Sequence, residues 1–287
     1  AWNNNITNLV YSHNVIFKSW GPGLWPCKNS KVLGNWIIRA CDSEMYTDTN
    51  TWEFVKKPKE KPGAREQLEL GSLDNVEAAF NWICWGDKEG IDVNGGDGKW
   101  IHHNHLNDMY AYPWASAILL NSYNANWKNI LVENNIIHHC AMGINVGSEG
   151  AQPLYDITLC FNLCHDNIWR GIFIGGFGEG VRVYNNTCVL NEQTGLGIGY
   201  GLRGHDWPKE DTTLYVRSID LRNNLSVLNK RPGIACGFEN YEQRDVHFEY
   251  NGEYPMPEKN KWGNTVFYGG NAVSADSLFV NISERDF

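Results

Sequence analysis

The sequence predicts an all-β solenoid, a single column of short parallel strands stacked coil upon coil. Three observations predict it. The first is a recurring phrase: LVENNIIHHCAMGINVG (Leu131 to Gly147) returns as LCFNLCHDNIWRGIFIGG (Leu159 to Gly176), VYNNTCVLNEQTGLGIG (Val183 to Gly199) and LRNNLSVLNKRPGIACG (Leu221 to Gly237). Self-similarity at a spacing of 20–50 residues marks repeat architectures. The second is a ladder of asparagines at Asn14, Asn35, Asn81, Asn104, Asn135, Asn162, Asn186 and Asn224, with Asn251 a weaker ninth. Its steps are 21, 46, 23, 31, 27, 24, 38 and 27 residues. The shorter steps are one coil, and the longer ones are a coil with an inserted loop. The third is a glycine ladder nine residues after most of the asparagines: Gly90-Ile91, Gly171-Ile172, Gly195-Leu196 and Gly233-Ile234, with Gly143-Ile144 one residue early. A glycine there is expected to supply a corner that a Cβ would resist.

The phrase NN-I-I-H-x-C…G-I-x-V resembles the repeat of right-handed parallel β-helix proteins, the pectin-lyase-like superfamily, from about Asn14 to Asn251. The resemblance implies one right-handed parallel β-helix of about eight to nine coils and a carbohydrate-active protein, secreted or on the cell surface, the periplasm included. Members include polysaccharide lyases, glycoside hydrolases, uronate epimerases, tailspikes and adhesins, so the site has to decide the chemistry.

Composition narrows the field. The chain has 287 residues, 42% of them hydrophobic, enough for one continuous core. A net charge of -9 argues against nucleic acid as a partner, and no apolar run reaches the roughly 18 residues of a membrane span. Neither Ala1 nor the closing ADSLFVNISERDF reads as a solenoid cap, so the chain is expected to be part of a longer polypeptide. Of eight cysteines, Cys164 and Cys188 fall two residues after their ladder asparagines, where Ile83, Leu106 and Ile137 also fall. That inward position favours stacked buried thiols, with a Cys164–Cys188 bond within reach of neighbouring strands. No Cys/His spacing suggests zinc.

In order, the first coil (Ile6 to Trp25) ends in GPGLWPC, and the second runs from Asn35 into CDSEMYTDT. A loop of about 43–75 follows, with KKPKEKPG at its centre reading as a solvated turn region; Glu66 to Glu77 re-enters the solenoid. The third coil carries WICWGDKEGIDVNGGDG (Trp82 to Gly98). The fourth has a loop of about 109–115 before Ser116 to Leu120. Coils five to seven are regular. A further loop of about 200–214 precedes the eighth, and Tyr250 to Trp262 wraps the end.

Strand period two assigns the faces. In the Gly-Ile strands, Ile91/Val93, Ile118/Leu120, Ile144/Val146, Ile172/Ile174 and Leu196/Ile198 point inward. Asp92, Leu119, Asn145, Phe173, Gly197 and Ala235 point outward, with Trp25 and Tyr46 continuing their row. Glu89, Met142, Arg170 and Thr194 line one edge; Asp48, Asn94, Asn121 and Glu149 line the other. This reads as a shallow surface strip for a glycan, aromatic at one end and polar at its centre.

Asp92 is the first candidate catalyst, with Glu89 and Glu149 as partner carboxylates, since glycoside hydrolysis needs two carboxyls roughly 5–9.5 Å apart. A lyase or epimerase would instead need a base and a cation, for which Arg170 and Lys88 are available, with or without calcium. Trp25, Tyr46, Asn145, Phe173, Trp114, His205 and Trp207 are candidate substrate contacts. His138/His139 and His165/Asp166 occupy a corner of the repeat and read as structural. His102, His103 and His105 are expected to alternate faces of a strand, and His205-Asp206 is a lid candidate in its loop. GIFIGGFGEG is strand and turn, not a phosphate cradle, because no helix follows it. The expected function is cleavage of a polysaccharide or oligosaccharide by paired carboxylates. The alternatives are a lyase or epimerase and a non-catalytic tailspike- or adhesin-like module.

Overall fold

The computed structural model describes residues 6–17, 22–39, 45–47, 54–56, 66–86, 88–109, 115–121, 128–147, 154–175, 178–199, 217–231, 233–236 and 245–254. The first coil holds β1 (Val10–Ser12) and β2 (Val15–Phe17). The second holds β3 (Lys31–Leu33), β4 (Trp36–Ile38), the pair β5 (Met45–Thr47) and β6 (Phe54–Lys56), and β7 (Leu68–Glu69). The third and fourth are β8 (Val76–Ala79), β9 (Trp82–Cys84), β10 (Ile91–Val93) and β11 (Lys99–His102), β12 (His105–Asn107), β13 (Ser116–Leu120). The fifth and sixth are β14 (Ile130–Glu133), β15 (Ile136–His138), β16 (Met142–Val146) and β17 (Leu154–Cys160), β18 (Leu163–His165), β19 (Arg170–Ile174). Then come β20 (Gly178–Tyr184), β21 (Thr187–Val189), β22 (Leu196–Ile198), then β23 (Arg217–Arg222), β24 (Leu225–Val227), β25 (Ile234–Cys236), and last β26 (Val246–Glu249) with β27 (Gly252–Tyr254).

The strands of each coil pair in parallel with their counterparts one coil on, giving two nine-stranded sheets and one of seven, with β5 and β6 forming a separate antiparallel pair. The chain is a parallel β-helix. The core is the column between the sheets: Val32, Ile37, Ile83, Ile101, Ile118, Ile137, Ile144, Ile172 and Val183 are fully buried members of one cluster. Full burial of each such side chain contributes about 1.5–3 kcal/mol. Cys164 and Cys188 are register partners in the same column and both are free thiols, as the inward position predicts. Lys99 also points inward, its ammonium held by the carbonyls of Leu73 and Gly95.

The asparagine ladder runs unbroken from Asn14 to Asn251. Each amide oxygen accepts the backbone N–H and the side-chain amide of the asparagine one coil earlier, at 2.8–3.1 Å. The residue before each rung has positive φ; these are His13, Gly34, Phe80, His103, Asn134, Phe161, Asn185, Asn223 and Tyr250. This corner turns the backbone away from a strand ladder, and the asparagine satisfies the polar groups that the turn buries. A second, shorter ladder, Asn167–Asn191–Asn229, lies five residues further on.

Three expectations need revising. Apart from Gly34, the corners are made by non-glycine residues in the left-handed region, whereas the glycines of the Gly-Ile ladder are there for space. A Cβ on Gly143 would lie 2.2 Å from the Gly171 carbonyl oxygen, and one on Gly171 would lie 2.7 Å from that of Gly195. His102, His103 and His105 do not alternate along one strand, because His103 is itself a corner with φ 52°. The loop bound of about 75 is too late, whereas the re-entry expected from Glu66 is in place: Leu68 and Glu69 pair with Ile91 and Asp92 of β10. The 200–214 loop lies outside the described residues.

Candidate active site

The site stands on the seven-stranded sheet, where β7, β10, β13, β16, β19, β22 and β25 run side by side. Ile91 and Val93, Ile118 and Leu120, and Ile172 and Ile174 belong to the core cluster, while Asp92, Leu119 and Phe173 between them do not. Parallel register places the outward residues in one row: Glu69, Asp92, Leu119, Asn145, Phe173, Gly197 and Ala235. An isolated bridge from Leu24 to Leu68 brings Trp25 to the near end of that row, 46% exposed. A second row, just before each strand's core residues, holds Ser116, Met142 and Arg170 in register. The bonds from Gln67 N–H to the Glu89 carbonyl and from Gly90 N–H to the Ser116 carbonyl continue that row to Glu89 and Glu66.

The acidic end is dense with carboxyls. Lys88 donates to Glu66 at 2.6 Å and lies 3.1 Å from Glu89. Asp92 accepts from the Asn94 side-chain amide through one oxygen, and its other oxygen has no hydrogen-bond partner, nor has Glu89 Oε1, while Glu89 Oε2 has the Lys88 ion pair alone among the described residues. Burial pushes Glu89 up to about 7; Lys88 opposes the shift and Glu66 adds to it. Burial raises Asp92 well above the usual carboxylate range, with the charges of Glu89 and Glu66 adding to it. For Lys88, burial works against the charged form, but Glu89 and Glu66 more than offset it and hold the ammonium protonated. Two carboxyls with raised pKa beside an ion pair are the groundwork for proton transfer near neutral pH.

The other end is basic. The Arg170 guanidinium lies 4.1 Å over the Phe173 ring, and its Nε and Nη1 have no hydrogen-bond partner. Burial, then the neighbouring Arg231 charge, lowers it to about 10. Phe173 rests against glycine floor positions, since a Cβ on Gly175 would come within 2.6 Å of its ring.

The structure therefore gathers Asp92, Glu89 and Lys88 at one end and places Asn145, Phe173 and Arg170 along the same face. It departs from the sequence reading in three respects. The strip is covered rather than open: Asp92, Asn145 and Phe173 are at most 3% exposed and Glu89 1%. Tyr46 is not in the row; it pairs antiparallel with Val55 in a separate two-stranded sheet, because the insertion displaces the third strand of its coil to β7. On the far edge, hydrogen bonds put Gly71 before Asn94, and Gly147 follows Asn121, where Asp48 and Glu149 were expected. Asp48, Glu149, Trp114, His205 and Trp207 lie outside the described residues.

Glu66, Glu69 and Ser116 were missed. The signal was present: Glu66-Gln67-Leu68-Glu69-Leu70 repeats the acidic-x-apolar-acidic-apolar pattern of Glu89-Gly90-Ile91-Asp92-Val93, but glutamine replaces the glycine that anchored the ladder. The described strand histidines sit elsewhere, His102 and His247 on the first nine-stranded sheet and His105, His138 and His165 on the second. There His105 and His138 approach at 2.7 Å through their Nε2 atoms and His138 stacks on His165. Among the described residues no three His, Cys, Asp or Glu side chains converge to hold a metal ion.

Fold and site together define a parallel β-helix with an acidic cluster and a guanidinium set into one of its sheets. No family model and no curated protein matches the chain. Among solved structures it is similar to the periplasmic alginate epimerase AlgG, at 12% identity and a TM-score of 0.39, covering 80% of this chain and 54% of that one. It is also similar to the A-module of the Azotobacter vinelandii mannuronan C-5 epimerase AlgE4, at 11% identity and a TM-score of 0.29, covering 92% and 80%. The chain thus spans about half the length of the first.

Proposed function

We propose that the chain is a carbohydrate-active enzyme whose reaction is glycoside hydrolysis by carboxyl groups at the acidic end of the seven-stranded sheet. One observation carries the reading. All but one of the buried polar side-chain atoms left without a hydrogen bond, among the described residues, belong to Glu89, Asp92, Ser116, Asn145 and Arg170 on four consecutive rungs. Buried polar groups are paired in folded proteins, and an orphaned group costs about 1–3 kcal/mol. A concentration of them on one face is what a polar ligand would satisfy.

Hydrolysis needs one protonated and one ionised carboxyl. Asp92, with its raised pKa, donates a proton to the glycosidic oxygen as the bond to the anomeric carbon breaks. Glu89, which ionises as pH rises through about 7, then takes a proton from the water that adds to that carbon. A lyase or epimerase would need an available cation next to its base. Lys88 is held between Glu66 and Glu89, and Arg170 stands three rungs from Glu89, about 14 Å at the usual strand spacing. The buried carboxyls fit an enclosed oligosaccharide or chain end better than a polymer laid over an open trough. An extracellular setting follows from a glycan substrate of this kind.

The test is a screen on neutral and uronic-acid glycans, reading reducing ends and ultraviolet absorbance together, with and without chelator. Reducing ends without the absorbance of an unsaturated uronate support hydrolysis. Absorbance would replace it with elimination, and tight binding without turnover would replace it with a glycan-binding module.

A further inference from the structure

The orphaned atoms are not uniform along the face: carboxyl oxygens stand at one end, and guanidinium nitrogens at the other. At the acidic end Glu66, Glu69, Glu89 and Asp92 lie around Lys88, and on top of burial the charges of Glu89, Glu66 and Glu69 all raise the Asp92 pKa, so a further anion there is disfavoured. At the other end the charge acting on Arg170 is that of Arg231, also positive, and among the described residues no carboxylate pairs with either. Arg231, whose backbone N–H donates to the Gln193 carbonyl and which stands two rungs beyond Trp169, repels Arg170 unless an anion joins them. The Arg170 guanidinium carbon lies over the Phe173 ring and its Nε and Nη1 have no hydrogen-bond partner, which leaves N–H groups of its fork for bidentate contact with a carboxylate. The Phe173 ring fills the hollow over Gly175 and Gly197.

We propose that the occupant is an oligosaccharide bound lengthwise and in one direction, with a sugar carboxylate on Arg170 and Arg231 and an uncharged residue at Asp92. This rests on the hydrolase reading for the scissile end but not for the anchor. It differs from uronate elimination or epimerisation, in which the acidic sugar itself occupies the reacting position. Ser116 and Asn145, on the rungs between, offer a hydroxyl and an amide oxygen to the intervening sugar hydroxyls.

The experiment measures binding to the Asp92→Asn chain by calorimetry. The probes are neutral tetrasaccharides carrying a single terminal galacturonate, glucuronate or mannuronate, and their carboxyl-reduced counterparts. At least one acidic probe is expected to bind roughly tenfold or more tightly than its reduced form, the worth of a charge-assisted hydrogen bond. That advantage should vanish in Arg170→Met, which keeps the stem over Phe173, and shrink in Arg231→Gln and at high salt. Arg231 is exposed, so its variant reports even where Arg170→Met fails to fold. Equal affinity for the acidic and reduced forms, no binding of any acidic probe, or an advantage that survives Arg231→Gln and salt would overturn the anchor. An anchor that behaves as expected while Asp92→Asn retains full turnover would leave it standing and remove the Asp92 assignment alone.

Discussion

Asp92 and Glu69 are register partners on adjacent parallel strands, so their carboxyls leave the same face of the seven-stranded sheet one rung apart. That spacing is about 4.8 Å, close enough for each charge to raise the other's pKa, and the Glu69 charge does raise Asp92. Glu69→Gln is therefore expected to lower the Asp92 pKa and shift the upper limb of the activity profile to lower pH. Rates measured from pH 4 to 9 would show it, whereas an unmoved limb would assign Glu69 a purely structural place.

Glu89 gives a stability prediction with a definite sign. Its folded pKa, about 7, lies above the unfolded value of 4.5. The folded chain keeps a proton that the unfolded chain releases, so the contribution is fully present below about pH 4.5 and is lost as pH rises through 7. Thermal unfolding midpoints should fall between pH 5 and pH 8. Glu89→Gln should remove on the order of 2–3 kcal/mol of that pH dependence. Denaturant unfolding of both proteins at the two pH values measures the difference.

Asn135 tests the ladder. It accepts from the backbone and side chain of Asn104 and donates to Ile101 and Asn162, all at 2.9–3.1 Å. Asn135→Ala leaves at least a buried donor and a buried acceptor unmatched, at about 1–3 kcal/mol each. A loss of roughly 2–5 kcal/mol in urea unfolding is expected. A loss under 1 kcal/mol would mean that the amides are replaceable by water.

Gly143 separates the two explanations for the glycine ladder. Its φ is not in the left-handed region, yet a Cβ would stand 2.2 Å from the Gly171 oxygen. Gly143→Ala should destabilise by about 1–3 kcal/mol through overpacking. A neutral result would mean that neighbouring coils can spread there.

The repeat was legible because each element of it has a physical reason to be a particular residue. An asparagine is needed where the turn buries backbone groups, and a small residue where coils approach closest. Strand period two then carried Asp92, Asn145 and Phe173 to one face without further information. Tyr46 failed because an insertion breaks the count: the displaced strand β7 is found only through its pairing with β10. Burial of the face was not legible either. Alternation says which way a side chain points, but not whether another segment lies over it. The shorter asparagine ladder at Asn167, Asn191 and Asn229 was there to be read five residues after the first; its hydrogen bonds run between coils, and nothing local marks them.

The most direct measurement is reducing-end release by the wild-type chain and by Asp92→Asn on the glycan that the screen identifies, with folding verified by matched thermal midpoints near pH 5. Loss of a positioned general acid costs roughly 10²–10⁴-fold in rate, and a fall of that size with unchanged substrate binding is the predicted result. Full activity in Asp92→Asn would contradict carboxyl catalysis at this rung and move the chemistry elsewhere on the β-helix.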